Sequence, residues 1–413
     1  MRDGDLKRPP ASLLKTSAWA REGPGGTVMA ALEGAQANAA RFVGGCVRDA
    51  LLSEIPNDID IATVLRPEQT ISALEAAGLK AVPTGVAHGT VTAVAHGVGV
   101  EVTTLRSDVS TDGRRATVAF TGDWRADASR RDFTINALYL TADGRLFDPF
   151  DGVADLEGST VRFIGEPTAR IAEDYLRILR FFRFSARFAD AFDGPGFNAC
   201  KEKRDGLSIL SAERIGMEIS KILAHPRAGF ALEGMAEAGV LKKVWPHPAD
   251  LAALVALKKT RPNAHVSSAL AALFGAGGEG EGAVAALRLP NAVETARRKI
   301  LQDADTVANE YGRQDGRAAL YKVGPESWAD ALALAQAQNK LSSHVVIQLE
   351  RLAENSTPPR FPISGDDILE AGVPSGPKVA ETLGALKEAW IDAGFPDRDQ
   401  TLRLLAALMR AGR

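Results

Sequence analysis

The chain has 413 residues, of which 45% are hydrophobic and 24% are charged, and its formal net charge is −3. This composition is ordinary for a globular protein, allows several domains with sizeable cores, and gives no global attraction to nucleic acid. The cysteines, Cys46 and Cys200, are too few for a disulfide framework or a cysteine-built zinc site, and they fit a reducing, cytoplasmic environment. No apolar run is long enough to cross a membrane, and residues 1–26 lack an apolar core of signal-peptide length.

The first part of the chain alternates between helix and strand patterns. We predict an extension over 1–26 that docks late or not at all, followed by a mixed α/β domain over 27–159. Helix patterns cover ALEGAQANAA and PEQTISALEAAG, and hairpin patterns cover GTVTAVAHGVGVEVTTLR and INALYLTADGRLFDP. Residues 107–129 are polar and turn-rich, which predicts a long loop of the kind that is often functional.

The character changes after about residue 160. The stretch EPTARIAEDYLRILRFFRFSARFADAF predicts one strong helix, and further helical patterns continue to the end of the chain. The prolines at 358 and 359 predict a boundary near residue 356. We therefore expect a mixed head followed by an all-helical remainder.

Two acids in NDIDIAT, Asp58 and Asp60, are the first candidate site. Residues i and i+2 of a strand point to the same face, so these carboxylates would repel each other unless a cation lay between them. Carboxylate oxygens suit Mg²⁺, which completes its shell with waters and substrate phosphates. Glu101 is a candidate third carboxylate if its strand lies beside the aspartate strand, and a solvated strand residue otherwise.

A glycine turn precedes these acids. Gly44 and Gly45 allow the chain to turn tightly and bring backbone N–H groups against an anion, and Arg48 follows about one helical turn later. A phosphate cradle followed by a two-carboxylate metal site is what phosphoryl or nucleotidyl transfer needs. The alternative is a simple turn followed by solvated acids.

The stretch SRRDFTINALYL forms a second candidate site. Arg131 is suited to neutralise a triphosphate through its bidentate fork, and Asp132 to accept a hydrogen bond from a ribose hydroxyl. The alternative is that Ser129 or Asp132 caps a short helix while the arginines are solvated.

A third candidate site lies in EDYLRILRFFRFSARF. Arg177, Arg180 and Arg183 recur every three residues and lie along one side of a helix that is otherwise largely apolar. A half-buried helix rarely presents arginines inward unless anions or acids meet them. Glu213, Arg214 and Glu218, in a later amphipathic helix, are candidates to brace this arginine helix.

Asp174 and Arg177 allow a sharper interpretation. Cytosine and adenine both present an amino donor beside a ring-nitrogen acceptor, which a carboxylate beside a guanidinium complements. Uracil and guanine present a carbonyl and an N–H there, so both contacts would become repulsive. The alternative is an ordinary i, i+3 salt bridge. Together with the upstream features, the pattern favours reading of C and A over U and G without a template.

Several stretches resemble motifs of one known family, the class II tRNA nucleotidyltransferases (CCA-adding enzymes) and bacterial poly(A) polymerases. They are GGCVRDALL, NDIDIAT, RRDFTINALY, FDPFDGVADLEG and EDYLRILRFFRFSARF, in the family's order over about residues 30–190. ISGDDILEAGVPSGPKVAETL resembles the tail of long CCA-adding enzymes more weakly.

The resemblance implies an α+β fold with a polymerase-β-like nucleotidyltransferase head and an all-α neck, body and tail. The boundaries would be 27–159, 160–228, 229–355 and 356–413. It implies that Asp58 and Asp60 hold the metal and that residues 107–129 correspond to the loop implicated in switching from CTP to ATP. It implies nucleotide binding by Gly45, Arg48, Arg131, Asp132, Asp174, Arg177, Arg180 and Arg183.

The expected function is template-independent building or repair of the tRNA 3′-CCA end from CTP and ATP with Mg²⁺, in the cytoplasm and without a membrane. The rivals are a poly(A) polymerase, a specialist that adds only CC or only A, and a small-molecule nucleotidyltransferase. A further rival is a non-catalytic RNA-binding protein with a relict head.

Overall fold

The computed structural model describes residues 6–7, 18–112, 115–245 and 247–411. The chain forms two compact units, one comprising Met1–Ile222 and Phe230–Pro246 and the other Leu223–Gly229 and His247–Arg413. The first unit therefore contains the predicted head, most of the predicted neck and the start of the predicted body, and the second contains the rest of the body and the tail. The four boundaries predicted from the sequence stay a prediction.

The described residues of the first unit contain a large mixed sheet and a separate hairpin. The strands are β1 (Leu6–Lys7), β2 (Ala40–Val43), β3 (Asp60–Thr63), β4 (Lys80–Gly85), β5 (Thr90–Ala95), β6 (Val98–Thr104), β7 (Arg106–Asp112), β8 (Arg115–Phe120), β9 (Tyr139–Leu140) and β10 (Leu146–Phe147). The large sheet has the order β1-β10-β9-β2-β3-β6-β5-β4, and β7 pairs with β8. β3 runs parallel to β6 and antiparallel to β2, which places β3 near the middle of the sheet.

Helices of the first unit pack around this sheet and continue beyond it. They are α1 (Ala18–Arg21), α2 (Pro24–Ala35), α3 (Gly45–Leu51), α4 (Pro67–Ala76), α5 (Trp124–Ser129), α6 (Gly152–Glu157), α7 (Pro167–Glu173), α8 (Leu176–Phe188), α9 (Gly194–Lys203) and α10 (Ala212–Ala224), with α11 (Ala228–Glu237) and α12 (Leu241–Val244). Pro24 and Pro67 occupy the first positions of α2 and α4, where the missing N–H costs nothing. Val28 and Leu32 of α2 share one buried core with Leu74 of α4 and the sheet residues Val91 and Val102.

The predicted hairpins are confirmed, but the predicted loop over 107–129 is wrong. β5 pairs with β6, and β9 pairs with β10 across a turn in which Gly144 has a φ of 86°. Arg106–Asp112 and Arg115–Phe120 pair as the antiparallel β7–β8 hairpin, and Trp124–Ser129 form α5. This segment was predicted as a loop because a two-stranded ribbon outside the main sheet does not need the apolar alternation that marks a half-buried strand.

The predicted N-terminal extension does not lie wholly apart from the first unit. Leu6 and Lys7 pair with Phe147 and Leu146 of β10. Trp19 packs edge-on against Phe42, with ring centroids 4.9 Å apart. The other residues before Ala18 lie outside the described part of the chain.

The arginine-rich stretch forms two helices and not one. α7 ends at Glu173, and Asp174 has extended backbone angles before α8 begins at Leu176. The apolar side of α8 lies on an aromatic cluster in which Phe181 stacks on Phe163 and Phe184 lies 5.4 Å from Phe133. This cluster fixes α8 against the segment that follows Asp132.

The described residues of the second unit form helices joined by loops, with no strand among them. Its helices are α13 (Leu251–Thr260), α14 (Val266–Phe274), α15 (Gly278–Ala286), α16 (Asn291–Glu310), α17 (Arg317–Val323), α18 (Pro325–Ala337), α19 (Ser343–Asn355), α20 (Gly365–Glu370), α21 (Pro377–Asp392) and α22 (Arg398–Ala411). Residues 356–364, where the sequence predicts the start of the tail, connect α19 to α20 without regular structure. No described helix combines the length and apolar character needed to span a bilayer.

Candidate active site

Asp60 is the first residue of β3 and lies directly opposite Glu101 of the parallel strand β6. The strand of Glu101 therefore lies beside the strand of Asp60, as a role for Glu101 in the acidic site requires. Asp58 lies in an exposed bend just before the strand, so the strand begins two residues later than predicted, and a shared face for the two aspartates stays a prediction. Asp60 itself is only partly exposed.

Asp60 lies in an acidic environment that the nearby Arg131 offsets only in part. Burial raises the pKa of Asp60, the charges of Glu101 and Asp58 raise it further, and the Arg131 guanidinium opposes them. Within the described residues, no hydrogen bond or ion pair engages the side chains of Asp58, Asp60 or Glu101. Hard carboxylate oxygens in this state fit a divalent cation such as Mg²⁺.

The described part of the chain contains no group of three or more histidine, cysteine, aspartate or glutamate side chains arranged to hold a metal ion. Asp58 and Asp60 remain the predicted metal ligands, and a role for Glu101 stays a prediction.

The glycine turn lies between β2 and α3. Gly44 has a φ of 73°, which favours glycine, and its amide donates to the carbonyl of Leu138 on the neighbouring chain segment. A Cβ at Gly44 would lie 3.4 Å from Nη1 of Arg131, which places this guanidinium directly beside the turn. Gly45 begins α3.

Arg48 is buried within the first unit and is not solvated. Its guanidinium pairs with Asp49 at 2.8 Å and donates to Oδ1 of Asn136 at 2.5 Å. It also lies over the ring of Phe188, 4.3 Å from the centroid. Burial lowers its pKa, although the charge of Asp49 opposes this.

Arg131 is held by two buried side chains. Its Nε donates to the Tyr139 hydroxyl at 3.0 Å, and its Nη2 lies 3.3 Å from Oδ2 of Asp127. Burial alone would lower the pKa of Arg131, but Tyr139 and Asp127 outweigh it and the pKa is raised. Arg131 therefore stays charged beside Gly44.

Asp132 belongs to a different network from Arg131. Its Oδ2 accepts from Nε of Arg180 at 2.7 Å, and its Oδ1 accepts from Asn136 and the amide of Phe133. Burial would raise the pKa of Asp132, but Arg180 and Asn136 lower it overall. The capping alternative does not describe the structure, because the short 3₁₀ helix that follows, Thr134–Asn136, has no side-chain cap.

Acids meet every arginine of the predicted series on α8. Arg177 pairs with Glu173 at 2.6 Å, Arg180 with Asp132 at 2.5 Å, and Arg183 with Glu218 at 2.6 Å. Arg177 also donates to the carbonyl oxygens of Arg170 and Arg130. The helix side that carries these arginines therefore faces the segment around Asp132 and the later helix α10.

Asp174 and Arg177 do not form the i, i+3 salt bridge that was the alternative interpretation. Oδ2 of Asp174 accepts from Arg214 of α10 at 2.7 Å, while Arg177 pairs with Glu173. The predicted bracing of the arginine helix by Arg214 and Glu218 is thus confirmed. The carboxylate and the guanidinium are three residues apart in the chain, and each is paired with a different residue.

Comparison with known proteins agrees with these motifs. Residues 40–162 match the family described as the Poly A polymerase head domain, and residues 196–251 match the probable RNA and SrmB-binding site of polymerase A. The mitochondrial CCA tRNA nucleotidyltransferase 1 of Danio rerio is 37% identical over 383 residues, covering 89% of this chain and 86% of that protein. The chain belongs to the CCA tRNA nucleotidyltransferase family. The fold class and enzyme class predicted from the sequence are therefore confirmed.

Other members of the CCA tRNA nucleotidyltransferase family are similar over most of their length. The CCA-adding enzyme of Limosilactobacillus fermentum is 31% identical over 378 residues, covering 88% of this chain and 91% of the relative. A solved structure of the Bacillus stearothermophilus CCA-adding enzyme in complex with CTP has a TM-score of 0.74 at 28% identity, with 93% of this chain and 96% of that chain covered.

Sequence reasoning missed the side chains that support the nucleotidyltransferase site. Asp127 precedes Arg131 by four residues, a spacing that could have indicated a helical ion pair. Glu173 precedes Arg177 by the same spacing. Tyr139 gave no such signal, because its contact with Arg131 depends on how β9 lies beside β2.

Proposed function

We propose that this chain adds or repairs the 3′-terminal CCA of tRNA, using CTP and then ATP without a nucleic-acid template. The observation that carries the proposal is the meeting of Asp60, the Gly44 turn and Arg131 in a chain that matches CCA tRNA nucleotidyltransferases over most of its length. An acidic cation site beside a phosphate-binding arginine is the arrangement that nucleotidyl transfer requires.

In the proposed reaction the 3′-hydroxyl oxygen of tRNA attacks the α-phosphorus of the nucleoside triphosphate. The bond from the α-phosphorus to the oxygen that bridges it to the β-phosphorus breaks, pyrophosphate leaves, and the hydroxyl proton passes to solvent water. Asp58 and Asp60 would hold Mg²⁺, which when bound supplies Lewis-acid stabilisation of the developing charge. Arg131 and Arg48 supply positive charge for the triphosphate, and Asp132 supplies an acceptor for a ribose hydroxyl.

Base selection is proposed for Asp174 and Arg177. The support is that Asp174, at the break between α7 and α8, and Arg177, in the first turn of α8, are paired with other residues, Arg214 and Glu173, and not with each other. Arg214 fixes the carboxylate orientation while leaving lone pairs for an amino donor. Arg180 and Arg183 would act mainly by holding Asp132 and α10 in place around the base.

The tRNA would contact the helical remainder as well as the head. The match of residues 196–251 to an RNA-binding family supports RNA contact by the segment from α9 to α13. We retain the cytoplasm as the predicted compartment, although the Danio rerio relative is named as mitochondrial.

The test is incorporation of each labelled nucleotide, supplied singly, into a tRNA that ends before CCA, into a tRNA that ends in CC and into an unrelated RNA. We expect CTP incorporation into the tRNA and ATP incorporation only into tRNA ending in CC. Long A tracts on either RNA would establish the poly(A) polymerase alternative. The match of residues 40–162 to the Poly A polymerase head domain is the observation that favours this alternative. Retained tRNA binding without any incorporation would establish a relict head.

A further inference from the structure

The guanidinium of Arg131 is constrained on more than one side. Its Nε donates to the Tyr139 hydroxyl at 3.0 Å and its Nη2 approaches Asp127 at 3.3 Å. Its Nη1 lies beside Gly44, 3.4 Å from the position that a Cβ there would occupy. The group that faces the glycine turn is thus the one nitrogen not engaged by Tyr139 or Asp127.

Tyr139 and Asp127 form a rigid support for this guanidinium. The Tyr139 hydroxyl donates to Oδ2 of Asp127 at 2.8 Å, and both residues are almost fully buried, with 0% and 1% exposure. Tyr139 also packs edge-on against Trp124, with ring centroids 5.7 Å apart. A buried, mutually hydrogen-bonded pair of this kind holds a planar fork in one orientation.

The sheet places this support beside the glycine turn. Tyr139 of β9 is opposite Val43 of β2, and Val43 immediately precedes Gly44. Asp127 lies on α5, where its Oδ1 pairs with Arg130 and accepts from the amide of Arg106, the first residue of β7. One carboxylate therefore contacts the base of the β7–β8 hairpin as well as Arg131.

We propose that Tyr139 and Asp127 are positioning residues for nucleotide binding, which hold Arg131 so that its Nη1 is presented to the triphosphate of CTP or ATP at the Gly44 turn. This inference rests on the proposed function. Neither residue touches the nucleotide. Their effect is to restrict the guanidinium before the nucleotide arrives, which reduces the ordering cost of binding.

The experiment measures equilibrium binding of CTP and ATP to the full chain without tRNA, and then steady-state addition to tRNA. Tyr139→Phe removes only the hydroxyl. We expect the dissociation constants of both nucleotides to rise roughly tenfold, while kcat at saturating nucleotide changes less than about twofold because the reacting groups are untouched. Asp127→Asn keeps the side-chain shape and should also raise the dissociation constants of CTP and ATP.

Two comparisons separate positioning from loss of stability. Thr104→Val removes another buried hydroxyl of the same sheet, which donates to Leu65, and should leave both dissociation constants unchanged. In an Arg131→Lys background, adding Tyr139→Phe should have less than about a twofold further effect, because a lysine ammonium cannot use the Nε contact.

Unchanged nucleotide affinity in a folded Tyr139→Phe protein would overturn the inference. A full tenfold loss in the Arg131→Lys background would also overturn it, since the hydroxyl would then act independently of Arg131. Failure of the wild-type chain to bind either nucleotide would instead contradict the proposed function itself, and the inference would fall with it.

Discussion

The arginines assigned to nucleotide binding each have a protein partner already in place. The pairs are Arg48 with Asp49, Arg131 with Asp127, Arg177 with Glu173, Arg180 with Asp132 and Arg183 with Glu218. A partly buried guanidinium without a partner would be costly, and these acids remove that cost before any nucleotide binds. Asp58, Asp60 and Glu101 differ, because within the described residues their carboxylates have no such partner.

Asp58→Ala tests the metal-ligand assignment. Asp58 is exposed and its side chain is not bonded to any described residue, so we expect its loss to leave the thermal unfolding temperature almost unchanged. Loss of a residue that only hydrogen-bonds a metal ligand lowers activity by up to roughly 100-fold. Loss of the ligand itself should lower nucleotide incorporation by more than this.

Glu75→Ala is the matched control for this prediction, because Glu75 is an exposed acid on the outer side of α4. It should change neither activity nor unfolding temperature. Near-wild-type incorporation by Asp58→Ala would show that this carboxylate does not hold the essential metal.

Arg177→Ala tests the assignment of base selection. Loss of a charged donor costs about 1.5–3 kcal/mol, so the preference for CTP and ATP over UTP and GTP should fall about 10- to 150-fold. The ratios of kcat/KM for the four nucleotides measure this directly.

Arg187→Ala provides a comparison on the same helix. Arg187 pairs with Glu54 and Asp49, away from Asp174, and its loss should leave the nucleotide preference intact. If both variants retain full discrimination, then Arg177 does not read the base.

The residue types of the site could be predicted from the sequence, but their partners could not. Asp58, Asp60, Arg131 and Asp174 stand out because paired acids and arginines at strand or helix spacing have a chemical meaning without any fold. The contact between Arg180 and Asp132 joins residues 48 positions apart, and no local pattern indicates it. Such contacts depend on how α8 packs against the sheet.

At the scale of elements, local signals predicted most helices and strands but not the interruption between α7 and α8. The sequence around Asp174 has strong helical spacing on both sides and no glycine or proline. The break coincides with a tertiary contact, since Asp174 reaches Arg214 of α10 while its own backbone is extended. A contact with a later helix thus prevailed over local helix propensity.

The contact between α8 and the RRD segment predicts a specific pH dependence. Folding lowers the pKa of Asp132 below its ordinary value of 3.8, through Arg180 and Asn136. The ionised Asp132 carboxylate therefore stabilises the folded protein fully above about pH 4, and this stabilisation is lost as the pH falls through the folded-state pKa of Asp132. Asp132→Asn should cost about 1–3 kcal/mol at pH 7.

Thermal unfolding of both proteins between pH 7 and pH 2.5 checks this prediction. The difference in unfolding temperature between wild type and Asp132→Asn should shrink as the solution becomes more acidic. A difference that grows toward low pH would have the wrong sign for a carboxylate with a lowered pKa.

In the second unit, Gly316 predicts a steric effect on stability. It has a φ of 87°, and a Cβ there would lie 2.4 Å from Cδ2 of the buried Leu349. Gly316→Ala should lower the free energy of unfolding by about 1–3 kcal/mol from overpacking, in addition to the backbone strain.

Gly372→Ala isolates the backbone contribution in the same unit, because Gly372 also has a positive φ but nothing lies within 4 Å of its added Cβ. Chemical denaturation of both variants gives the two free energies. Equal losses of unfolding free energy in the two variants would mean that Leu349 moves aside for the added Cβ at position 316 without an energetic penalty.

At the scale of the whole molecule, the order of motifs predicted the class of fold correctly but did not predict where the chain divides into its two compact units. The sequence indicated a mixed head followed by helices, and the structure and the relatives confirm this arrangement. The compact units group α7–α10 with the sheet because aromatic and ionic contacts such as Phe133 with Phe184 join them. Composition changes along the chain report secondary structure and not these contacts, so they do not locate such boundaries.

The most direct test of the account is the 3′-end sequence of a tRNA lacking CCA after incubation with the enzyme and all four nucleoside triphosphates. We expect two C residues and then one A to be added, after which addition stops. Products that end in C alone, continue into a run of A, or contain U or G at wild-type rates would contradict it.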